Sequence, residues 1–151
     1  MFGLVGYTMV CFAIGCVFTI IVAMFRPIKQ HDDWKAWKVL VGIMVTVGVI
    51  PYGYVEFMTA SRGADLKSGV LQAVSEAELV GQLKYFKVVT ANEKKAHVIA
   101  SATDRNEFGH DEPVIMEVDL KFDKDGWFPE AYTIISSFKR QRDATTMPPY
   151  W

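Results

Sequence analysis

The sequence predicts a membrane protein: a two-helix transmembrane hairpin followed by a small α+β domain, with a helix or helix pair packed on a roughly four-stranded antiparallel sheet. Three observations carry this. Met1–Phe25 contain no Asp, Glu, Lys or Arg, and neither do Val39–Val55. Beyond Lys84 the apolar residues switch from helical spacing to alternation. With a formal net charge of −1 over 151 residues, the chain also lacks the basic excess that nucleic acid requires. The two charge-free runs leave too little chain for a large enzyme core or a Rossmann-type sheet.

Leu4–Phe25 predicts the first transmembrane helix. At 1.5 Å per residue, about 20 residues cross a hydrocarbon core of about 30 Å. A secretory signal would carry cations ahead of a shorter apolar run and small residues at its end. Here no cation precedes the run, and Phe25-Arg26-Pro27 closes it. Pro27 suits a helix stop.

The second span is predicted over residues 39–57. Its 17 uncharged residues, Val39–Val55, are near the short end of the range. Trp34, Trp37, Tyr52 and Tyr54 stand where interfacial aromatics belong. Pro51 lies inside the span and predicts a kink. The connection, residues 26–38, holds Arg26, Lys29, Lys35 and Lys38; after the second span come Arg62 and Lys67. By the positive-inside rule the loop lies on the cytoplasmic or matrix side. Both termini and the C-terminal domain then lie on the periplasmic or intermembrane-space side of an inner membrane.

A packing face is legible within the hairpin. Cys11, Gly15, Thr19 and Ala23 recur every four residues, a stripe of small side chains that lets backbones approach in lipid. Gly42 and Thr46 offer a shorter stripe on the second helix. Cys11 and Cys16 are the two cysteines of the chain, lie on different faces, and are not expected to pair.

The α+β domain is expected over residues 60–137, after a 1–59 hairpin region and before a 138–151 tail. Ser61-Arg62-Gly63 reads as a break. Leu66, Val70, Ala73, Val74 and Ala77 form an amphipathic stripe. Ser75 and Glu78, three apart, have the form of a capping box and predict a short second helix to about Leu83. Strands follow at Tyr85–Thr90 and Lys95–Thr103, joined by a polar turn, Ala91-Asn92-Glu93-Lys94. After a polar loop, residues 104–112, comes the clearest strand. Val114, Met116, Val118, Leu120 and Phe122 face one way; Glu117, Asp119 and Lys121 face the other. Asp123-Lys124-Asp125-Gly126 turns the chain into the last strand, Trp127–Ser136.

Chemistry is sparse. The Asp123–Gly126 turn lacks the flanking acids of a calcium loop. His110-Asp111-Glu112 and His97 have no second ligand cluster nearby in sequence. Neither His31-Asp32-Asp33 nor Glu56 needs more than water at a membrane face. No nucleophile–base pair, phosphate loop, zinc motif or cofactor site is legible, so no catalytic, cofactor-binding or metal-binding residue is assigned.

In the tail, Pro148, Pro149, Tyr150 and Trp151 form an extended, aromatic-ended segment suited to a protein groove. The pattern implies an accessory or assembly role beside integral membrane subunits and lipid, with no nucleic acid and no small-molecule substrate. The alternatives are a membrane-anchored ligand- or peptide-binding module and an oligomeric component of a transport or secretion apparatus.

The Lys67–Val74 helix, the strand at Lys95-Ala96-His97-Val98-Ile99, and Val114–Leu120 followed by Gly126-Trp127 resemble the membrane-anchored assembly factors and translocase subunits of the Coa1/Tim21 type. The resemblance covers about half the chain. It implies association with respiratory-chain or translocase complexes and no catalytic residues. The chain departs from that type in having two predicted spans, and in having Gly81-Gln82-Leu83-Lys84 where a Leu-Gly-x-Pro-like turn stands.

Overall fold

The computed structural model describes residues 2–25, 35–105, 108–124, 126–137 and 142–143. They form α1 (Phe2–Met24), α2 (Ala36–Glu76), β1 (Leu83–Ala91), β2 (Lys95–Arg105), β3 (Asp111–Asp123), β4 (Gly126–Ser137) and β5 (Arg142–Asp143). The described residues fall into two compact units, one up to Gly53 and the other from Tyr54 on.

In the first unit α1 lies antiparallel to the first part of α2. Tyr7 donates its hydroxyl to the carbonyl of Gly48 at 2.7 Å, and its ring meets Tyr52 edge-on at 6.2 Å. Further along α1, Gly15 lies against Leu40 and Met44. Both helices are long and apolar enough to cross a membrane.

The second unit is one helix layer on one sheet layer. The sheet is an antiparallel meander in the order β1-β2-β3-β4-β5. β5, two residues of the expected tail, adds to the four anticipated strands by pairing with β4. Alternation places Val114, Met116, Val118 and Leu120 of β3 and Ala96, Val98, Ala100 and Ala102 of β2 on the helix-facing side. Leu66, Val70, Ala73 and Val74 of α2 complete this core. The small side chains of β2 let the helix come close. Gly69 comes closest: a Cβ there would stand 3.0 Å from the carbonyl oxygen of Trp127.

Three sequence expectations are corrected. The break at Ser61-Arg62-Gly63 does not occur, and α2 continues from the 39–57 segment to Glu76, through Pro51 as well. Gly63 is buried against the Phe86 ring, 3.6 Å from where its Cβ would be, so it permits helix–strand contact and breaks nothing. Ser75 and Glu78 end a helix, although their spacing predicts the start of one. Glu78 takes the left-handed conformation at φ 53°. Its N–H reaches the Ser75 carbonyl and that of Leu79 reaches Val74, the Schellman pattern of a helix C-terminus. Finally, the 104–112 loop is shorter than expected, because β2 runs to Arg105 and β3 starts at Asp111.

The expected turns have their own physical basis. Asn92 Oδ1 accepts N–H groups of Lys94 and Lys95 at 3.0 and 2.7 Å. Gly126 supplies φ 120° between β3 and β4, a value unfavourable for any other residue.

Candidate functional site

Among the described residues, the exterior of the first unit carries many exposed large apolar side chains. On α1, Met9, Val17 and Ile20 are exposed; on α2, Val45, Val49 and Ile50 are. Only 11% and 6% of the most apolar stretches of the two helices are buried. A helix in the core of a water-soluble fold buries such residues, since each square ångström of apolar surface left in water costs about 25 cal/mol.

The inner face of the helix pair accounts for part of the small-residue stripe. Cys11 and Gly15 are buried, and Thr19 and Ala23 half-buried. Thr19 turns its hydroxyl back to the Gly15 carbonyl at 2.7 Å. The matching residues on α2 are Leu40, Met44 and Gly48, and Gly48 stands 3.9 Å from Cys11 Sγ by its would-be Cβ. Gly42 and Thr46 are not at this contact. Both are exposed, and a Cβ on Gly42 would meet nothing within 4 Å. Leu40, Met44 and Gly48 lie on a different side of the helix, and α1 packs there because Gly15 leaves room for Met44 and Leu40, and Gly48 for Cys11. Cys11 and Cys16 are both free thiols.

In the second unit the sheet face away from α2 carries a polar cluster. His97 Nδ1 meets Asp119 Oδ1 at 2.7 Å across β2 and β3. Beside it, Lys95 donates to Glu130 at 3.0 Å, and Lys121 lies 3.8 Å from the other oxygen of the same carboxylate. The hydrogen bond from Lys95, then its charge, hold the Glu130 carboxyl below its usual range. A shallow groove runs past Thr90, Asn92, Lys95, His97, Asp119 and Glu130. Asp119 fixes one imidazole nitrogen, and no hydroxyl or thiol among the described residues bonds to the ring. The cluster is a set of mutually satisfied charges on a solvated sheet face.

The other sequence candidates are placed as follows. Asp111 and Glu112 open β3, and Asp111 lies 3.6 Å from Arg105 of β2. Asp123 accepts the N–H of Lys124 at 2.8 Å within its turn. Among the described residues no three His, Cys, Asp or Glu side chains converge on a metal position. His31-Asp32-Asp33, Asp125, Pro148, Pro149, Tyr150 and Trp151 lie outside the described residues.

Sequence reasoning missed the ion pair between Glu56 of α2 and Lys87 of β1. Its partners are 31 residues apart, and only the packing of α2 on β1 brings them together. Next to it, Val88 donates its main-chain N–H to Thr59 Oγ1 at 2.9 Å.

No protein-family model, curated protein or solved structure matches the chain.

Proposed function

We propose that this chain is a membrane-anchored, non-catalytic accessory subunit or assembly factor of a larger inner-membrane protein complex. One observation carries the reading: two helices of spanning length present uncovered apolar side chains, with 11% and 6% of their most apolar stretches buried. Such a surface needs lipid or protein around it. In this reading α1 and the first part of α2 cross the membrane. The 26–38 loop lies on the cytoplasmic or matrix side, and the sheet unit on the other. Resemblance to the Coa1/Tim21 type points the same way, toward respiratory or translocase complexes.

The second unit supports an assembly role over a ligand-holding one. A ligand module needs a cavity between helix and sheet. There, Leu66, Val70, Met116 and Leu120 are 0–1% exposed and fill the layer. The aromatic-ended tail, Pro148, Pro149, Tyr150 and Trp151, is the proposed grip on a partner subunit. Purification of the full chain from native membranes tests this. Partner subunits should accompany it in near-fixed ratio, and removal of residues 147–151 should strip them away. Equal partner recovery with and without those residues would count against the tail's role, and an absence of partners against the reading itself.

A further inference from the structure

Alternation puts Ile99, Ser101 and Thr103 of β2, and Ile115, Asp119 and Lys121 of β3, on the sheet face away from α2. One face of such a meander packs on its helix, and the other commonly meets water. Here that other face is divided. At one end Lys95, Asp119, Lys121 and Glu130 are exposed. At the other, Ile99 is 4% and Ser101 6% exposed, and Ile115 is half-buried.

The described residues account for only part of this burial. Thr103 is bonded to the Gly81–Gln82 connection. Ile99 and Ser101 have no such cover. The helix of this unit packs on the opposite face, against Ala96, Val98, Ala100 and Ala102. Lys87, across from Ile99 on β1, turns its ammonium group to Glu56 of α2. Tyr85, across from Ser101, is itself 42% exposed.

Strand register points to the chain that reaches this patch. Asp143 pairs with Ser136, Ser136 with Ile115, and Ile115 with Ser101. The four residues form one row across the sheet, and Asp143 is where β5 ends. Three strand spacings of about 4.8 Å separate Asp143 from Ser101, about 14 Å in all. An extended chain crosses that distance in about four residues. The segment after Asp143 reads Ala-Thr-Thr-Met-Pro-Pro-Tyr-Trp, without a charged side chain, and its fourth residue is Met147.

We infer that residues 144–147 fold back over the outer face of the sheet along this row, with Met147 covering Ile99 and Ser101. The residue types suit the path. Thr145 and Thr146 are β-branched and favour extended backbone, and the unbranched side chain of Met147 adapts to an irregular apolar surface. The competing path prolongs β5 along the edge of β4, which sets residues 146–149 beside Thr133, Tyr132, Ala131 and Glu130. Those four are exposed. Successive residues of a strand point their N–H groups to opposite sides, so Pro148 and Pro149 cannot both avoid a ladder position. On the path across the face, Pro148–Trp151, the proposed partner grip, leave the sheet on its β1 side, rooted by Met147.

Thiol labelling tests this on the purified full chain in detergent, with Cys11→Ala and Cys16→Ala as background and a single cysteine at Ser101→Cys. A chain ended after Asp143 is the comparison. Labelling at position 101 is expected to be at least tenfold faster in the ended chain, whereas Asp119→Cys, at the exposed end of the same face, labels alike in both. An unchanged rate at position 101 overturns the inference. A second measurement keeps the chain whole, so that loosening of the sheet by truncation does not enter. A diazirine side chain replaces that of Met147, and its photo-adducts are mapped by mass spectrometry. Adducts on Ile99, Ser101 or Ile115 support the inference; adducts confined to other segments, or none, overturn it. Neither readout involves a partner, so either result leaves the proposed function to its own test.

Discussion

Gly15 of α1 lies so close to Met44 of α2 that a Cβ at position 15 would stand 2.9 Å from Met44 Cγ and 3.2 Å from Leu40 Cδ1. The hydrogen atom of glycine is what lets these two helices share a face.

Gly15→Leu should therefore push the pair apart, with a loss of about 1–3 kcal/mol as overpacking penalties run. Gly42→Leu should leave the pair intact, because its side chain enters open space. Thermal unfolding of the full chain in mild detergent reads both. A large loss for Gly42→Leu, or none for Gly15→Leu, would mean the helices pack differently. The contrast also makes Gly42→Leu the cleaner probe of an external partner on α2, since Gly15→Leu disturbs the chain's own contact first.

Gly81 is more tightly confined. It donates its N–H to the Thr103 carbonyl at 2.9 Å, and a Cβ on it would fall 2.1 Å from Thr103 Oγ1 and 2.3 Å from the Thr103 carbonyl oxygen. The obstacle includes backbone, so rotamer changes cannot relieve it. Gly81→Ala should destabilise the chain by about 3 kcal/mol, the upper end for overpacked sites. Chemical denaturation measures it; a loss below a tenth of that would show that the connection to β1 is free to shift.

Glu78 offers the opposite sign. It holds φ 53° at the end of α2 with its side chain exposed. Left-handed backbone is unfavourable for a residue with a Cβ by roughly 1–2 kcal/mol, and glycine removes that strain. Glu78→Gly should raise stability by about 1 kcal/mol, whereas glycine at a helix start would lower it. The denaturation midpoint distinguishes the two roles.

The Lys95–Glu130 pair predicts a pH response. Lys95, by hydrogen bond and then charge, lowers the Glu130 carboxyl from its ordinary 4.5. A carboxylate depressed in the folded state adds stability above its unfolded value, and that share is lost as pH falls through the folded value. The stability difference between the parent chain and Lys95→Met should thus be present at neutral pH, begin to shrink as pH falls below about 4.5, and vanish once pH has passed the lowered folded value. Salt should shrink it, since both side chains are exposed. A difference that grows in acid would contradict the assignment.

Much of the fold is legible because local chemistry and tertiary need agree. The alternation from Val114 to Leu120, the Asn92 and Gly126 turns, and the charge-free runs each name their element without help from distant residues. The rest depends on partners far off in sequence. Gly63 looks like a helix breaker until the Phe86 ring is laid against it. Ser75 and Glu78 carry the spacing of a helix start, yet Val74 and Leu79 are both drawn into the core, and the chain reverses there. Gly42 and Thr46 have the right residue types for a packing stripe, but the partner helix selects Leu40, Met44 and Gly48. In β2, Ile99, Ser101 and Thr103 are buried on the face away from α2, where alternation alone predicts exposure. The Glu56–Lys87 pair has no local signature at all.

The most direct test of the central claim is native gel migration of the full chain, tagged between residues 29 and 31, after gentle detergent extraction of its own membranes. The account predicts that the chain stays with the membranes through an alkaline wash and then migrates in one discrete large complex of constant composition. Release by the alkaline wash, or migration as a lone species near its 17.0 kDa mass plus detergent, would contradict it.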